Sequence, residues 1–180
     1  MWRARVDLPL PEERSLTAQL HRLEPDGGSV LVGQREFDAE GRVEFSLSTS
    51  GPHRLEVALY PSFSAWTKLM HTFELLPGES STFIELRPAR LRFLPGARVA
   101  GGEGAHANLV RFVGRGEAGW RTESVLALHQ VKEELLLPVP SGTLTVETAD
   151  AWKWSPELAW TAAGELTLAP GETRDPFAAR

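Results

Sequence analysis

Five histidines, two carboxylate doublets, a glycine run and a crowd of tryptophans are the residues of this chain with chemistry to offer. His21, His53, His71, His106 and His129 stand far apart. No His-x-His or His-Glu-x-x-His sets two imidazoles on one face, the spacing that a metal pair on a single strand or helix needs. The expectation is isolated, solvent-facing histidines at strand edges, with no metal and no cofactor. Glu12-Glu13 and Glu133-Glu134 are adjacent pairs, and neighbours in a strand point to opposite faces, so neither doublet forms an acid/base pair. Gly-x-Ser-x-Gly is absent from the sequence, which removes the commonest serine-nucleophile signature. Gly101-Gly102-Glu103-Gly104 lacks the Lys-Ser/Thr and the following helix of a phosphate loop and reads as an interstrand loop. Asp26-Gly27-Gly28 and Asp38-Ala39-Glu40-Gly41 lack the alternating oxygen ligands of a calcium loop. No catalytic residue is assigned, and the chain is read as a non-enzyme.

The tryptophans offer a different chemistry. There are six in 180 residues, and Trp152, Trp154 and Trp160 fall within nine positions. On a strand Trp152 and Trp154 share a face, and two exposed coplanar rings are a platform on which a sugar can stack. The alternative is that large aromatics plug the open end of a small sandwich or meet a protein. Trp66 holds the corresponding place in the first half of the chain, and a feature present in both halves of a scaffold serves the scaffold first. Trp66, Trp152 and Trp154 are the candidate binding residues.

What must position them is a repeated phrase. Ser50-Gly51 to Leu55 and Val57, running on to Leu76-Pro77-Gly78-Glu79, returns as Ser141-Gly142 to Leu144 and Val146, running on to Leu168-Ala169-Pro170-Gly171-Glu172. The period of about 90 residues marks an internal duplication of one supersecondary unit. Alternation of apolar and polar residues surrounds it. Trp2, Ala4, Val6 and Leu8 share one face; Leu16, Ala18 and Leu20 alternate with Thr17, Gln19 and His21; Val43, Phe45 and Leu47 point inward, as do Leu55, Val57 and Leu59. Pro25-Asp26-Gly27-Gly28 predicts a hairpin into Ser29 to Phe37. The alternation breaks over Pro61 to His71, where Ser64 to Met70 reads as a turn or two of helix. Pro88 closes the first unit, because proline cannot donate to a central ladder. Further strands are expected around Ala107 to Val113, Trp120 to Leu128 and Glu134 to Pro138. The tail from Thr173 has few anchors and reads as disordered. The fold class is all-β: two tandem antiparallel sandwiches of about seven strands, residues 1–88 and 89–180, joined end to end near Pro88.

Composition bounds the partners. A net charge of −5 opposes a nucleic-acid partner, which calls for a basic face. No apolar run reaches the roughly 20 residues of a membrane-spanning helix. There is no cysteine, so disulfides and thiolate sites are excluded. The N-terminus shows no signal-peptide apolar core, which favours the cytoplasm for a full-length chain. Abundant Arg, Ala, Gly and Pro with little Lys points to a GC-rich bacterium.

The turn-and-strand pattern resembles a known family. Asp38-Ala39-Glu40-Gly41-Arg42 precedes a strand, Gly51 to Val57 supplies the Gly and the Leu-x-Val strand, and Leu75 to Leu86 gives Leu-x-Pro-Gly-Glu and a last strand. This is similar to carboxypeptidase regulatory-like, or transthyretin-like, sandwich domains. The second half is similar from Leu135 onward with its acidic-Gly turn altered, so the resemblance covers the chain in two copies. It implies an accessory role as spacer, folding support or adhesive module, and no catalytic set. The expected function is a non-catalytic structural or protein-interaction module in a larger bacterial assembly, docking through sheet edges and Trp-bearing loops. The alternative is a carbohydrate-binding module using the same tryptophans.

Overall fold

The computed structural model describes residues 2–7, 17–47, 50–62, 65–76, 81–85, 88–97, 99–100, 106–116 and 119–177. They are all-β, with one short 3₁₀ turn at Leu128–Gln130. In chain order the strands are β1 (Trp2–Asp7), β2 (Thr17–Leu23), β3 (Ser29–Glu36), β4 (Arg42–Leu47), β5 (Gly51–Ser62), β6 (Ala65–Leu75), β7 (Ser81–Glu85) and β8 (Pro88–Phe93). They continue as β9 (Val99–Ala100), β10 (His106–Ala107), β11 (Leu109–Gly116), β12 (Trp120–Ala127), β13 (Leu135–Pro140), β14 (Gly142–Ala149), β15 (Thr161–Leu168) and β16 (Thr173–Arg174).

The duplication in the sequence is a duplication in pairing. In the first half β1 runs antiparallel to β4 and parallel to β7, while a second sheet is ordered β3-β2-β5-β6. In the second half β8 runs antiparallel to β13 and parallel to β16, while a second sheet is ordered β12-β11-β14-β15. The short pair β9–β10 is inserted without a counterpart among the described residues. The two four-stranded sheets are one. β6 pairs antiparallel with β12, from Ala65↔Leu126 to Trp120↔His71, and this joint makes a continuous eight-stranded sheet. The halves therefore meet strand to strand rather than end to end.

Alternation builds the core as expected. Val43, Phe45, Leu47, Leu55, Val57 and Leu59 are buried in one cluster with Ala18 and Leu20. Leu91, Phe93, Val110, Phe112, Leu137, Leu144 and Val146 form the second. The joint mixes them: Trp120, from the second half, is buried in the first cluster, and Ala65, from the first half, is buried in the second. Between the clusters lies a polar seam, in which the buried Thr67 hydroxyl donates to Ser124 at 3.0 Å and Thr122 lies 3.4 Å from the same oxygen. Paired hydroxyls cost little to bury, whereas an orphaned one would cost about 1–3 kcal/mol.

Two further expectations fail. The segment read as helical is strand β6, with Ala65, Thr67 and Leu69 buried between the outward Trp66, Lys68 and Met70. The pattern was hidden because a polar Thr faces in and a Trp faces out. The tail residues 173–177 are docked: β16 pairs with β8, and Phe177 packs on the second cluster with its ring 6.0 Å from Phe93.

The repeated Pro-Gly-Glu phrase proves to be a docked turn. In the second copy Gly171 takes φ +75°, the left-handed region that glycine enters without strain. Its N–H donates to the Pro88 carbonyl at 2.9 Å, and the Arg90 N–H donates to the Glu172 carbonyl at 2.8 Å. The Ala169 N–H donates to Glu172 Oε2 at 2.7 Å, which together with the Arg174 ion pair outweighs the opposing effect of burial and holds that carboxyl below its ordinary range. The first copy, Pro77-Gly78-Glu79, lies outside the described residues.

Candidate functional site

The three candidate tryptophans and a row of charged side chains gather on the outer face of the eight-stranded sheet, at and beside the β6–β12 joint. After β14 the chain turns over that face instead of continuing as a strand. Residues 150–160 are a loop. Asn108 Nδ2 donates to Asp150 Oδ1 at 3.1 Å at its entrance, and the Leu158 N–H donates to the Ser155 carbonyl at 3.2 Å within it. Ala151, Leu158 and Trp160 pack on Leu109, Ala127 and Ala149, a small apolar cluster outside the main core. Burying those three outward side chains is what holds the loop down.

All three candidate binding residues belong to this strap, directly or by contact. Trp66 projects from β6 rather than from a loop, because it alternates with the buried Ala65 and Thr67. Trp154 reaches across from the second half and meets Trp66 at 5.6 Å between ring centroids, at an interplanar angle of 86°. Such edge-to-face pairs contribute about 0.5–1.5 kcal/mol beyond the area they bury. Trp152 meets His129 at 4.9 Å and 74°. Because both lie in a loop, Trp152 and Trp154 lack the common face that a strand would give them, and each is engaged nearly perpendicular to another ring. They remain open to solvent, Trp152 at 68% and Trp154 at 44%.

A row of alternating charge crosses the same face. Arg54 Nε lies 2.7 Å and Lys68 Nζ 2.6 Å from the Glu56 carboxylate. Glu123 stands opposite Lys68 across the joint and 3.5 Å from Arg111, whose Nε donates to Glu147 Oε2 at 2.6 Å. The Arg111 guanidinium also lies 4.6 Å above the Trp160 ring, which ties the charge row to the strap. Burial alone would raise the Glu56 carboxyl; the Lys68 hydrogen bond and charge, with Arg54 and His21, outweigh it and hold the carboxyl below its ordinary range.

The histidines are not the exposed edge groups that isolated spacing suggests. His53 is fully buried, with Nδ1 2.9 Å from the Gly51 carbonyl and its ring stacked 5.8 Å from Phe73. His71 also stacks with Phe73, at 6.1 Å, and tilts against Trp120 at 5.1 Å. The register sets His53 beside Phe73 across β5 and β6, and Trp120 opposite His71 across the joint, so pairing assembles the stack. Burial pushes the His71 imidazole below its ordinary pKa. Among the described residues its ring contacts are the aromatic faces of Phe73 and Trp120, the setting of a packed imidazole. His106 lies outside the residues whose side chains are described.

The acidic turns are self-contained. Asp38 Oδ1 accepts the N–H groups of Glu40 at 3.0 Å and Arg42 at 2.8 Å, and Asp26 Oδ1 accepts the Gly28 N–H at 2.8 Å. These are Asx turns, with the carboxylates turned onto the backbone. Glu134 pairs with Arg92 at 3.5 Å. Gly101 to Gly104 and Glu12-Glu13 fall outside the described residues. Among the described residues there is no group of three metal-ligating side chains and no helix long and apolar enough to cross a membrane.

Sequence reasoning missed Trp120 and the Arg111–Glu123–Glu147 group. Strict alternation of Trp120, Thr122, Ser124 and Leu126 identifies their shared face; that Trp120 serves the other half depends on which strand lies beside β12.

No family model matches the chain, and no curated protein matches it. Among solved structures it is similar to a DUF3823 family protein from Bacteroides uniformis, at 12% identity and a TM-score of 0.37, covering 93% of this chain and 98% of that one. It is also similar to a streptococcal ancillary pilin, at 9% identity and a TM-score of 0.32, and to the Bacillus anthracis TIE protein, at 14% and 0.30. The match covers 97% of this chain but 61% of the pilin, and 96% of this chain but 33% of the TIE protein. At these scores function is argued from the site alone.

Proposed function

We propose that this chain is a non-catalytic structural and protein-interaction module, an accessory component of a larger bacterial assembly. In this reading its two sandwich units, divided at Pro88, are of the carboxypeptidase regulatory-like or transthyretin-like type. The observation that carries it is the strap of residues 150–160, which presents Trp152 and Trp154 at 68% and 44% exposure on a continuous sheet spanning both halves. Exposed tryptophans on a fixed surface are favoured anchors of protein interfaces, because they bury much area at little entropic cost. The reactive groups nearby are committed to packing, turns or ion pairs, which leaves the face suited to binding rather than turnover.

The sugar-binding alternative draws on the exposure of Trp152, since Trp154 already leans on Trp66. One experiment separates the two. Native-lysate capture on the wild-type protein is compared with capture on Trp152→Ala/Trp154→Ala, and both are titrated with soluble polysaccharides by tryptophan fluorescence. A stoichiometric protein lost in the double variant supports the interaction module. Quenching by a polysaccharide without protein capture supports the alternative, and neither result would sink both.

A further inference from the structure

The joint within the molecule implies a joint between molecules. Strand order makes β3 the counterpart of β12, and β15 the counterpart of β6. Within the chain that pair of edges is closed, β6 upon β12. At the two ends of the eight-stranded sheet the same pair stands open: among the described residues β3 pairs only with β2, and β15 only with β14. We infer that a second copy of this chain adds its β15 to β3, repeating the β6–β12 joint and continuing the sheet from molecule to molecule.

Three features favour this occupant. First, β3 carries Val30, Leu31 and Val32 at 47%, 50% and 40% exposure in its N-terminal half, the end at which β12 places Trp120 in the core of its neighbour. An apolar run on an open edge is what monomers ordinarily avoid. Second, in the joint β13 packs against β5 and β6 in addition to its own sheet, and its counterpart β4 stands beside β3, placed to meet β14 and β15 of the added copy.

Third, the two edges share an irregularity. Val32 is an extra residue opposite the Leu20–His21 step, and Ala163 is an extra residue opposite the Val146–Glu147 step. Bulged edges deter flat strands. With Leu55 and Val57 set upon Leu144 and Val146, the register of the joint puts Gly33 opposite Gly164, one bulge on each side of that pair. Each strand carries one extra residue, Val32 or Ala163, so pairing resumes in register beyond the bulges. The mismatch that excludes other strands is cancelled between these two.

Such a contact is heterologous, head to tail, and grows open arrays instead of a closed dimer. It goes beyond the accessory role proposed above and concerns different residues, so it would stand if no partner for the tryptophan face were found.

Sedimentation equilibrium of the whole chain tests it. The expected result is a weight-average mass that climbs with concentration past the dimer without a plateau. Leu31→Lys on β3 and Ala163→Lys on β15, both exposed and both checked for wild-type circular dichroism, are each expected to weaken association about tenfold or more. Mixed one to one, the variants are expected to stop at a dimer, because each supplies the edge that the other lacks. A wild-type protein still monomeric at about 1 mM would overturn the inference. So would a closed dimer that survives Ala163→Lys, which would show β3 meeting β3, or a monomer whose β3 edge instead captures a different protein.

Discussion

Trp120→Ala probes the joint most directly, because this residue belongs to one half by sequence and to the other by packing. Its side chain is 1% exposed, among the largest fully buried, and sits in the cluster of Leu55, Leu69 and Leu75 against the His71 ring. A buried tryptophan removes on the order of 200 Å² from water. At about 25 cal/mol per Å², that is about 5 kcal/mol for full deletion, an upper figure because an unfolded chain already buries part of it. Truncations of Phe or Trp in cores cost about 3–5 kcal/mol, a large share of the roughly 5–15 kcal/mol that holds a domain folded. The expectation is a loss of about 3–5 kcal/mol in urea unfolding, with one transition retained. Hydrogen exchange supplies the decisive readout: protection should fall together in β5 of the first half and β14 of the second. Trp120→Phe, which keeps a ring against His71, should lose less. A loss below about 1 kcal/mol, or protection lost in β11 to β15 while β2, β5 and β6 keep theirs, would refute the shared core.

Other expectations follow from single contacts. The His71 ring is held below its ordinary pKa of 6.5 by burial, so the folded state binds fewer protons than the unfolded chain. Its contribution to stability is complete above pH 6.5 and is lost as pH falls from there toward the folded value. The urea midpoint of wild type should therefore drop more steeply between about pH 7 and pH 5 than that of His71→Phe, and parallel slopes would contradict this. A double-mutant cycle on Trp66→Ala and Trp154→Ala should give a coupling of about 0.5–1.5 kcal/mol, whereas Trp152→Ala should leave stability nearly unchanged; a coupling near zero would remove the strap's hold on the first half. In Gly114→Ala the new Cβ would fall on the Thr143 carbonyl oxygen and lie 2.9 Å from Leu144 Cδ2, so thermal unfolding should show a loss of at least about 1–3 kcal/mol. Glu56→Gln removes the carboxylate shared by Arg54 and Lys68 and should cost no more than about 1 kcal/mol at low salt, less at high salt, as measured by urea unfolding.

Much of the fold was legible because it rests on local rules. Alternation in Val43 to Leu47 and Leu55 to Leu59 gave their buried faces, Asp38 to Gly41 gave a turn, and the Ser-Gly to Pro-Gly-Glu phrase gave the duplication. The failures share a cause. Thr67 facing inward and Trp66 facing outward look like a broken strand until β12 is known to lie beside β6, where Ser124 satisfies the hydroxyl and Trp154 covers the ring. His53 and His71 look solvated because imidazole is polar, yet Phe73 and Trp120 bury them through pairings across β5, β6 and β12. Phe177 looks like part of a loose tail until β8 offers a parallel partner to Thr173 and Arg174.

The sequence by itself determined strand, turn and repeat, because backbone geometry ties those to residues two to four positions apart. Only the tertiary structure decided that the repeats share one sheet, that Trp120 changes sides, and that Trp66 meets Trp154 of residues 150–160 on the outer face. Those outcomes depend on which edges close on each other, and each repeat carries both kinds of edge. Two of the four close within the chain, and the pattern of a single repeat contains nothing that says which two.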